Sequence, residues 1–349
     1  MTELAPLSFA NGDGPLADLS VLELVGEFGT YAGQLLSDLG AEVRRVAHPR
    51  SAADTEAALG ELSGIDVLIR SGGADTPELP GFDPATIRSA HPRLIQAVLT
   101  PFGSDGPKAG CPSTDLIRLA AGGLLWLGGY PDGEPVAPYG GQSSLCTAIF
   151  AAIGVLLAVL ERDHTGHGTT IDISAQEVLI QALETSLPEY ELTGKVRRRA
   201  GSAPQEAGTG LYRCGDGYIS MVAGRLGTAR AWRRLREWLV EEDVPGAEEL
   251  FEERWETLEF RQQPEAISRF AAVFGAFAET RGKLELYLEA QRRSIALAPV
   301  NTPSEVLVDP QLAARDFFRE VPDEITGRPR TVPSPPYRFW AERDQVVAH

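Results

Sequence analysis

The sequence predicts an α/β fold in which helices cover a parallel sheet. Three observations predict it. Short apolar, β-branched segments alternate with helix-periodic ones near the start of the chain, their spacings leave room for crossover helices, and the composition (43% hydrophobic, 23% charged) is that of a soluble globular protein. Residues 21–25 (VLELV) read as a strand, residues 31–39 as an apolar-periodic helix and residues 41–46 as a second strand, which is one βαβ unit. Residues 65–69 (IDVLI) and 94–99 (LIQAVL) supply further strands of a Rossmann-like sheet. The apolar run at residues 145–160 has 16 residues, short of the roughly 20 that span a bilayer, and leads directly into ERDH, so it predicts a buried helix. A strand at residues 170–174 (TIDIS) and a helix over 175–187, ending near Pro188, complete this half.

A chain of 349 residues predicts two domains at roughly 150 residues each. Residues 1–14 read as a loose tail and 15–195 as the first part of a large domain. Residues 196–208 combine the end of KVRRR with a Gly/Pro/Ala-rich stretch and read as a linker. Residues 209–298 form a smaller α+β domain, opened by a hairpin around Gly215-Asp216-Gly217. Amphipathic helices follow over residues 229–242, 248–259, 266–279 and 283–292, with charge runs that read as solvated faces. Residues 299–349, with Pro333, Pro335 and Pro336, are expected to be extended and to return to the large domain.

The formal net charge of −17 repels nucleic acid and anionic membranes, so neither is an expected partner. Cys111, Cys146 and Cys214 lie far apart without a CxxC pair, which argues against a disulfide framework or thiolate zinc site and fits a reducing cytoplasm. The histidines His164 and His167 flank a turn without a third ligand, so no metal is expected. Gly26 and Gly29 lie in GEFGTYAGQ, which is not the GxGxxG fingerprint, and Glu27 would oppose a pyrophosphate, so no NAD is expected.

Four stretches in order, LSVLELVGEFGTYAGQLLSDLGAEVRRV, FAAIGVLLAVLERDHTGHGTTIDIS, GLYRCGDGYISMVA and APVNTPSEVLVDPQLAARDFF, resemble the family III CoA-transferases, the group that includes the α-methylacyl-CoA racemases. The resemblance implies a large Rossmann-like domain built from both chain ends, an inserted smaller domain and an interlaced homodimer. It also implies acyl-CoA and a small carboxylic acid as substrates, with coenzyme A entering as substrate. In the family's transferases an Asp before the long apolar helix attacks the thioester, giving a mixed anhydride and then an aspartyl-CoA thioester. Here that position falls on Ser144 in GGQSSLC. A hydroxyl is weakly nucleophilic without an adjacent base, and Ser is a favoured helix N-cap, so Ser144 reads as a nucleophile or as a cap.

In the racemase branch, a His precedes the family Asp at the segment PSTDLIRLAAGGLL. Thr114 stands at the His position, and Asp115 reads as an acid or base or as a cap for a helix from Leu116. Tyr139 and Gln142 near the expected pocket mouth are candidates for an oxyanion-type role. For CoA phosphates the resemblance points to Arg45, with Arg44 beside it, and Arg70 begins the run Arg70-Ser71-Gly72-Gly73 that replaces the family's Asn-aromatic pattern. Ala47 and His48 replace an acidic and a basic residue, and the stretch after His48 is shortened. Arg197, Arg198 and Arg199 form either an anion patch or exposed charge, and Cys146 an inert small core residue.

Three readings follow: acyl transfer with Ser144 or another group replacing the Asp; a different reaction, such as isomerisation, dehydration or cyclisation, in the same cleft without CoA; and a catalytically silent scaffold or partner subunit.

Overall fold

The computed structural model describes residues 3–4, 14–26, 28, 30–49, 51–73, 76, 81–202, 204–225, 229–323 and 326–337. Glu27, Gly29, most of the expected N-terminal tail and residues 338–349 of the expected return segment lie outside them. The chain divides into two compact units, residues 1–199 with 335–349, and residues 200–334.

In the first unit β1 (Glu3–Leu4), β2 (Ser20–Val25), β3 (Glu42–Ala47), β4 (Val67–Ser71), β5 (Ile95–Thr100) and β6 (Thr170–Ser174) form one sheet in the order β1-β3-β2-β4-β5-β6. All neighbours from β3 to β6 are parallel and β1 is an antiparallel edge. The expected α/β class with a parallel sheet is therefore what the chain forms. Helices α1 (Thr30–Asp38), α2 (Ala52–Gly60), α3 (Pro84–Ala90), α4 (Asp115–Ala121), α5 (Leu124–Leu127), α6 (Gln142–Thr165), α7 (Ala175–Gln181) and α8 (Ser186–Thr193) make up the rest. Both faces of the sheet are buried, as its continuous apolar runs require. Val21, Val43, Val67, Ile69, Ala97 and Leu99 pack with α1, α6 and α7, while Leu22, Leu24, Val46 and Leu68 pack with Ala58, Phe82 and Ile87.

Helix α6 packs its small residues, Ala148, Ala151, Ala152 and Ala158, into the core, which lets its backbone lie close to the sheet. The expectation of a fully buried helix needs correcting: Leu145, Ile149, Phe150, Ile153, Leu157 and Leu160 are exposed on its other side. By length and hydropathy α6 alone among the described helices matches a membrane span, yet its inner face is part of this core. At its far end Arg162 donates to Asp66 Oδ1 (2.8 Å), while Asp66 Oδ2 accepts from the Ser20 amide (3.0 Å) and hydroxyl (2.9 Å). Partial burial pushes the Asp66 carboxyl up, but the Ser20 hydrogen bonds and the Arg162 charge outweigh it and hold it below its ordinary value.

The second unit pairs β7 (Thr209–Cys214), β8 (Gly217–Val222) and β9 (Ala296–Pro299) antiparallel, and the β7–β8 hairpin turns at the predicted Gly215-Asp216-Gly217. Helices α9 (Ala229–Glu241), α10 (Leu258–Arg261), α11 (Pro264–Ala278) and α12 (Lys283–Arg292) follow. Trp232, Trp255, Phe270 and Phe274 join Tyr212 in an aromatic core, with Tyr212 meeting Phe274 edge-on at 4.9 Å. After β9 come α13 (Pro303–Leu307), α14 (Pro310–Ala314) and the pair β10 (Phe318–Pro322) with β11 (Pro329–Pro333).

Three segments differ from expectation. The helix over 175–187 is two helices, and Pro188 sits in the first turn of α8, where its missing N–H is not needed. The helix over 248–259 is instead two 3₁₀ turns, Glu248–Phe251 and Glu253–Glu256, because Glu252 between them is extended (ψ 145°) and Thr257 caps the separate α10. Residues 300–334 group with the second unit: β9 extends the hairpin sheet, and Lys283 pairs with Glu305 (2.6 Å) in the capping box of α13.

Asp66→Asn should lower stability at neutral pH by about 1–2 kcal/mol, as for loss of a charged hydrogen-bonded group. The Asp66 contribution is present above the unfolded carboxyl pKa and is lost as pH falls through the lower folded value, so the gap between wild type and variant should close on acidification. Urea midpoints across pH 3–7 measure this, with a pH-independent gap speaking against it.

Candidate active site

Two places in the first unit gather the residues that the sequence nominates: the N-terminal turn of α6 and a cavity at the C-terminal ends of β3, β4 and β5.

At the first place Asp115 and Ser143 bind each other. Asp115 Oδ1 accepts from the Ser143 amide (2.9 Å) and from the Ser143 hydroxyl (2.6 Å), which ties α4 to the start of α6. Arg118, one helical turn further and only 1% exposed, fans its guanidinium across hydroxyls of Ser143 (2.8 Å), Ser113 (3.0 Å) and Ser144 (3.4 Å). Its other face stacks on the Phe28 ring, with 4.2 Å between guanidinium carbon and ring centre. The Phe28 carbonyl in turn accepts from Ser71 Oγ (3.0 Å) at the end of β4. A continuous set of contacts thus joins the sheet's strand ends to the first turn of α6. Sequence reasoning missed Arg118; its only sequence signal is a cation within the otherwise apolar stretch LIRLAAGGLL.

Neither helix cap is the expected one. Gly141, with φ +53°, occupies the N-cap of α6, so Ser144 lies inside the first turn. Thr114 caps α4 by accepting from the Ile117 amide, which leaves Asp115 as the first helical residue with its carboxylate turned to Ser143. Gln142 donates to the Tyr139 carbonyl (2.8 Å), and the Tyr139 side chain is 98% exposed. Cys146 is half-buried, and burial together with the Asp115 charge pushes its thiol up, away from reactivity. His164 and His167 are exposed at the opposite end of α6, with His164 about 30 Å from Ser144 at 1.5 Å per residue.

The second place is a cavity of about 660 Å³ lined by His48, Arg70, Gly72, Gly73, Asp83 and Ser104 among others. Such a position, outside the carboxyl ends of parallel strands, is where open α/β sheets bind ligands. Strand periodicity decides which arginine reaches it. Arg44 and Arg45 are adjacent, so they point to opposite faces of the sheet. Arg45 turns inward: its Nε donates to Glu23 Oε2 (2.6 Å) and its Nη2 to the Thr30 carbonyl (2.6 Å). Burial pushes the Glu23 carboxyl up, and the Arg45 hydrogen bond and charge only partly offset it. A Cβ at Gly33 would meet that carboxylate, so any larger residue would have to displace Glu23 from its Arg45 pairing. Arg44 pairs with Glu61 beyond α2. Arg70 remains in the cavity wall, and its buried Nε has no hydrogen-bond partner. Burial lowers the Arg70 guanidinium from its ordinary value, and the nearby Asp83 carboxylate opposes that.

The basic run at 197–199 holds loops together. Arg199 donates to the carbonyls of Trp126 (3.1 Å), Gly133 (3.1 Å) and Tyr130 (3.3 Å) and stacks on Trp126 at 4.9 Å, while Arg197 donates to Thr185 (2.6 Å). Among the described residues no three His, Cys, Asp or Glu side chains gather as a metal-ligand set.

A parallel sheet with a cavity at its strand ends, and a long helix opening beside a carboxylate and a buried arginine, define an α/β protein of the open-sheet class. The chain belongs to CoA-transferase family III, whose profile matches residues 46–348. It is 29% identical over 91% of its length, and 87% of the relative's, to the succinyl-CoA:(R)-benzylsuccinate CoA-transferase subunit BbsE of Thauera aromatica. It is 26% identical over 91% of its length, and 77% of the relative's, to the succinyl-CoA–L-malate CoA-transferase alpha subunit of Chloroflexus aurantiacus (strain ATCC 29366 / DSM 635 / J-10-fl). The fold matches a CAIB/BAIF family protein from Brucella suis, with a TM-score of 0.78, 23% identity and 93% of each chain covered.

If Arg118 holds the α6 start, Arg118→Met should cost roughly 2–4 kcal/mol, because it leaves buried hydroxyls without their partner. Hydrogen exchange should speed up at residues 142–147 beyond the general destabilisation, whereas a uniform increase along the chain would show that Arg118 has no local role.

Proposed function

We propose that this chain is a cytoplasmic subunit of a CoA-transferase that moves CoA between a succinyl-type thioester and a second small carboxylic acid, and that the acyl-carrying carboxylate is supplied by a second, related chain. The observation that carries this reading is Ser144 itself. At the helix position where the resemblance puts the attacking Asp there is a hydroxyl in contact with an arginine, and the acid at the same helix turn, Asp115, has Oδ1 engaged by Ser143. No His lies beside Ser144 in sequence to act as base, so the hydroxyl lacks a sequence-local activator.

Two further observations support it. Relatives of this chain carry names that describe them as subunits, including alpha and beta chains of one L-malate enzyme. The outer side of α6 presents six exposed large apolar residues beginning at Leu145, a surface of the kind that a permanent subunit interface covers. The homodimer implied by the resemblance is then replaced by a pairing of unlike chains. On this reading the CoA phosphates lie at the strand-end cavity, where Arg70 is a half-buried cation with a buried, unpartnered Nε, and Ser104 and the glycines 72, 73 and 103 leave room for close approach of phosphate oxygens.

In the chemistry carried over from the family, the partner's carboxylate attacks the thioester carbonyl, the carbon–sulfur bond breaks and CoA leaves as the thiolate. That thiolate then attacks the carbonyl of the carboxylate side chain, which releases the first acid and leaves a CoA thioester on the partner. This chain contributes the Arg70 cavity and the surface on which the partner sits.

Incubated alone with succinyl-CoA, the protein should show no covalent adduct by intact mass, and exchange of labelled succinate should appear only when it is co-purified with an Asp-bearing family chain. An acyl or CoA group on wild-type Ser144 would overturn the reading. Ser144→Asp should gain a hydroxylamine-sensitive CoA adduct. Arg70→Met should weaken CoA binding at least about tenfold in calorimetry, the scale of one lost charge-assisted hydrogen bond; an unchanged affinity would remove CoA from this cavity.

A further inference from the structure

Between α5 and α6 the chain runs through residues 128–141 without helix or strand, and most of that stretch is exposed. Long loops of this kind inside a compact domain are usually either functional or loose. This one is held. Each nitrogen of the Arg199 guanidinium donates to a different carbonyl, Nη1 to Trp126 (3.1 Å), Nη2 to Gly133 (3.1 Å) and Nε to Tyr130 (3.3 Å). The same guanidinium stacks on the Trp126 ring, and Trp126 Nε1 donates to the Arg197 carbonyl (2.8 Å). The Val136 amide donates to the Gly128 carbonyl (3.1 Å), and a Cβ at Gly128 would strike the Val136 carbonyl, so the backbone closes on itself there. At the far end Gln142 Nε2 donates to the Tyr139 carbonyl (2.8 Å).

The fastened backbone presents large side chains to water. Tyr139 is 98% exposed, and Tyr130 and Val136 are exposed as well. Keeping apolar surface in water is unfavourable, and fixing the backbone that carries it removes conformational entropy in addition. A partner that buries these groups offsets the first, and a loop ordered beforehand loses less freedom when the partner arrives. Tyrosine suits such a contact, because it offers a large area with only two side-chain torsions to fix. The loop ends at Gly141, the N-cap of α6, and Leu145, the first exposed apolar residue of that helix, follows within one turn. The two exposed sets are therefore continuous along the chain.

We infer, resting on the pairing of unlike chains proposed above, that residues 128–141 are a second part of the surface that meets the carboxylate-bearing chain, and that Arg199 is the positioning residue of this loop. Arg199 acts through the backbone it clasps, which holds Tyr139 in the shape the partner meets. Lysine is no substitute, since a single ammonium lacks the planar fork that spans three carbonyls while stacking on an indole.

Stepwise dilution of the full-length protein in complex with its co-purified family chain, counted by mass photometry, tests this. Tyr139→Ala and Arg199→Lys are each expected to weaken association by about tenfold, the scale of one lost interface anchor. The double variant should lose much less than the product of the two, because both act through one loop. Hydrogen exchange in Arg199→Lys should quicken at residues 128–141 and stay unchanged in the sheet. An unchanged dissociation constant in either single variant overturns the inference, as does a double variant equal to the product or exchange that quickens along the whole chain. If wild type pairs only with copies of itself, the unlike-chain reading fails, and the same variants measured on that self-association decide the role of the loop. A wild type that stays monomeric overturns both.

Discussion

The ion pair between Arg45 and Glu23 is the constraint on which the arrangement of the first unit depends. It lies between two parallel strands, almost out of contact with water, and reaches a third element through the Thr30 carbonyl and the Gly33 amide. A buried pair of this kind is weak evidence for added stability, because desolvation opposes the attraction, but removal of either partner leaves an uncompensated charge inside. Its effect is therefore one of geometry. It fixes the start of α1 against the sheet and with it the turn that carries Phe28. It also withdraws from the strand-end cavity the arginine that the resemblance nominates for phosphate contact.

From that turn the contacts run on without a break. Phe28 gives its carbonyl to Ser71 and its ring to Arg118, and Arg118 spreads over the serines at the mouth of α6. The two candidate places are thus parts of one packed region. An arginine set among hydroxyls and a carboxylate that bonds to Ser143 give the first turn of α6 a rigid, hydrogen-bonded character. Within it the hydroxyl of Ser144 accepts from Arg118 at 3.4 Å.

The remaining surface carries the other half of the argument. Helix α6 buries alanines against the sheet and exposes leucine, isoleucine and phenylalanine on its other side, to which the reading advanced above gives a second packing partner. The second partner, on the reading advanced above, is the chain that brings the missing carboxylate.

The strands, the βαβ order and the β7–β8 hairpin were legible from the sequence because each rests on local periodicity or on a turn with glycine and aspartate in it. The family was legible because four stretches keep their order along the chain. The caps of α4 and α6 were not, since a Thr, an Asp, a Gly and two Ser compete for these places and the winner depends on which other helix each side chain meets. Nor was the division of roles among Arg44, Arg45 and Arg70 apparent: all three are basic residues on the two strands that flank β2, and only the pleat and the positions of Glu23 and Glu61 send one inward, one outward and one to the cavity. Local chemistry thus determined which elements exist, while the choice of partner for each charged side chain was made by the packing of segments far apart in the chain, where the cost of leaving a buried charge unpaired is greatest.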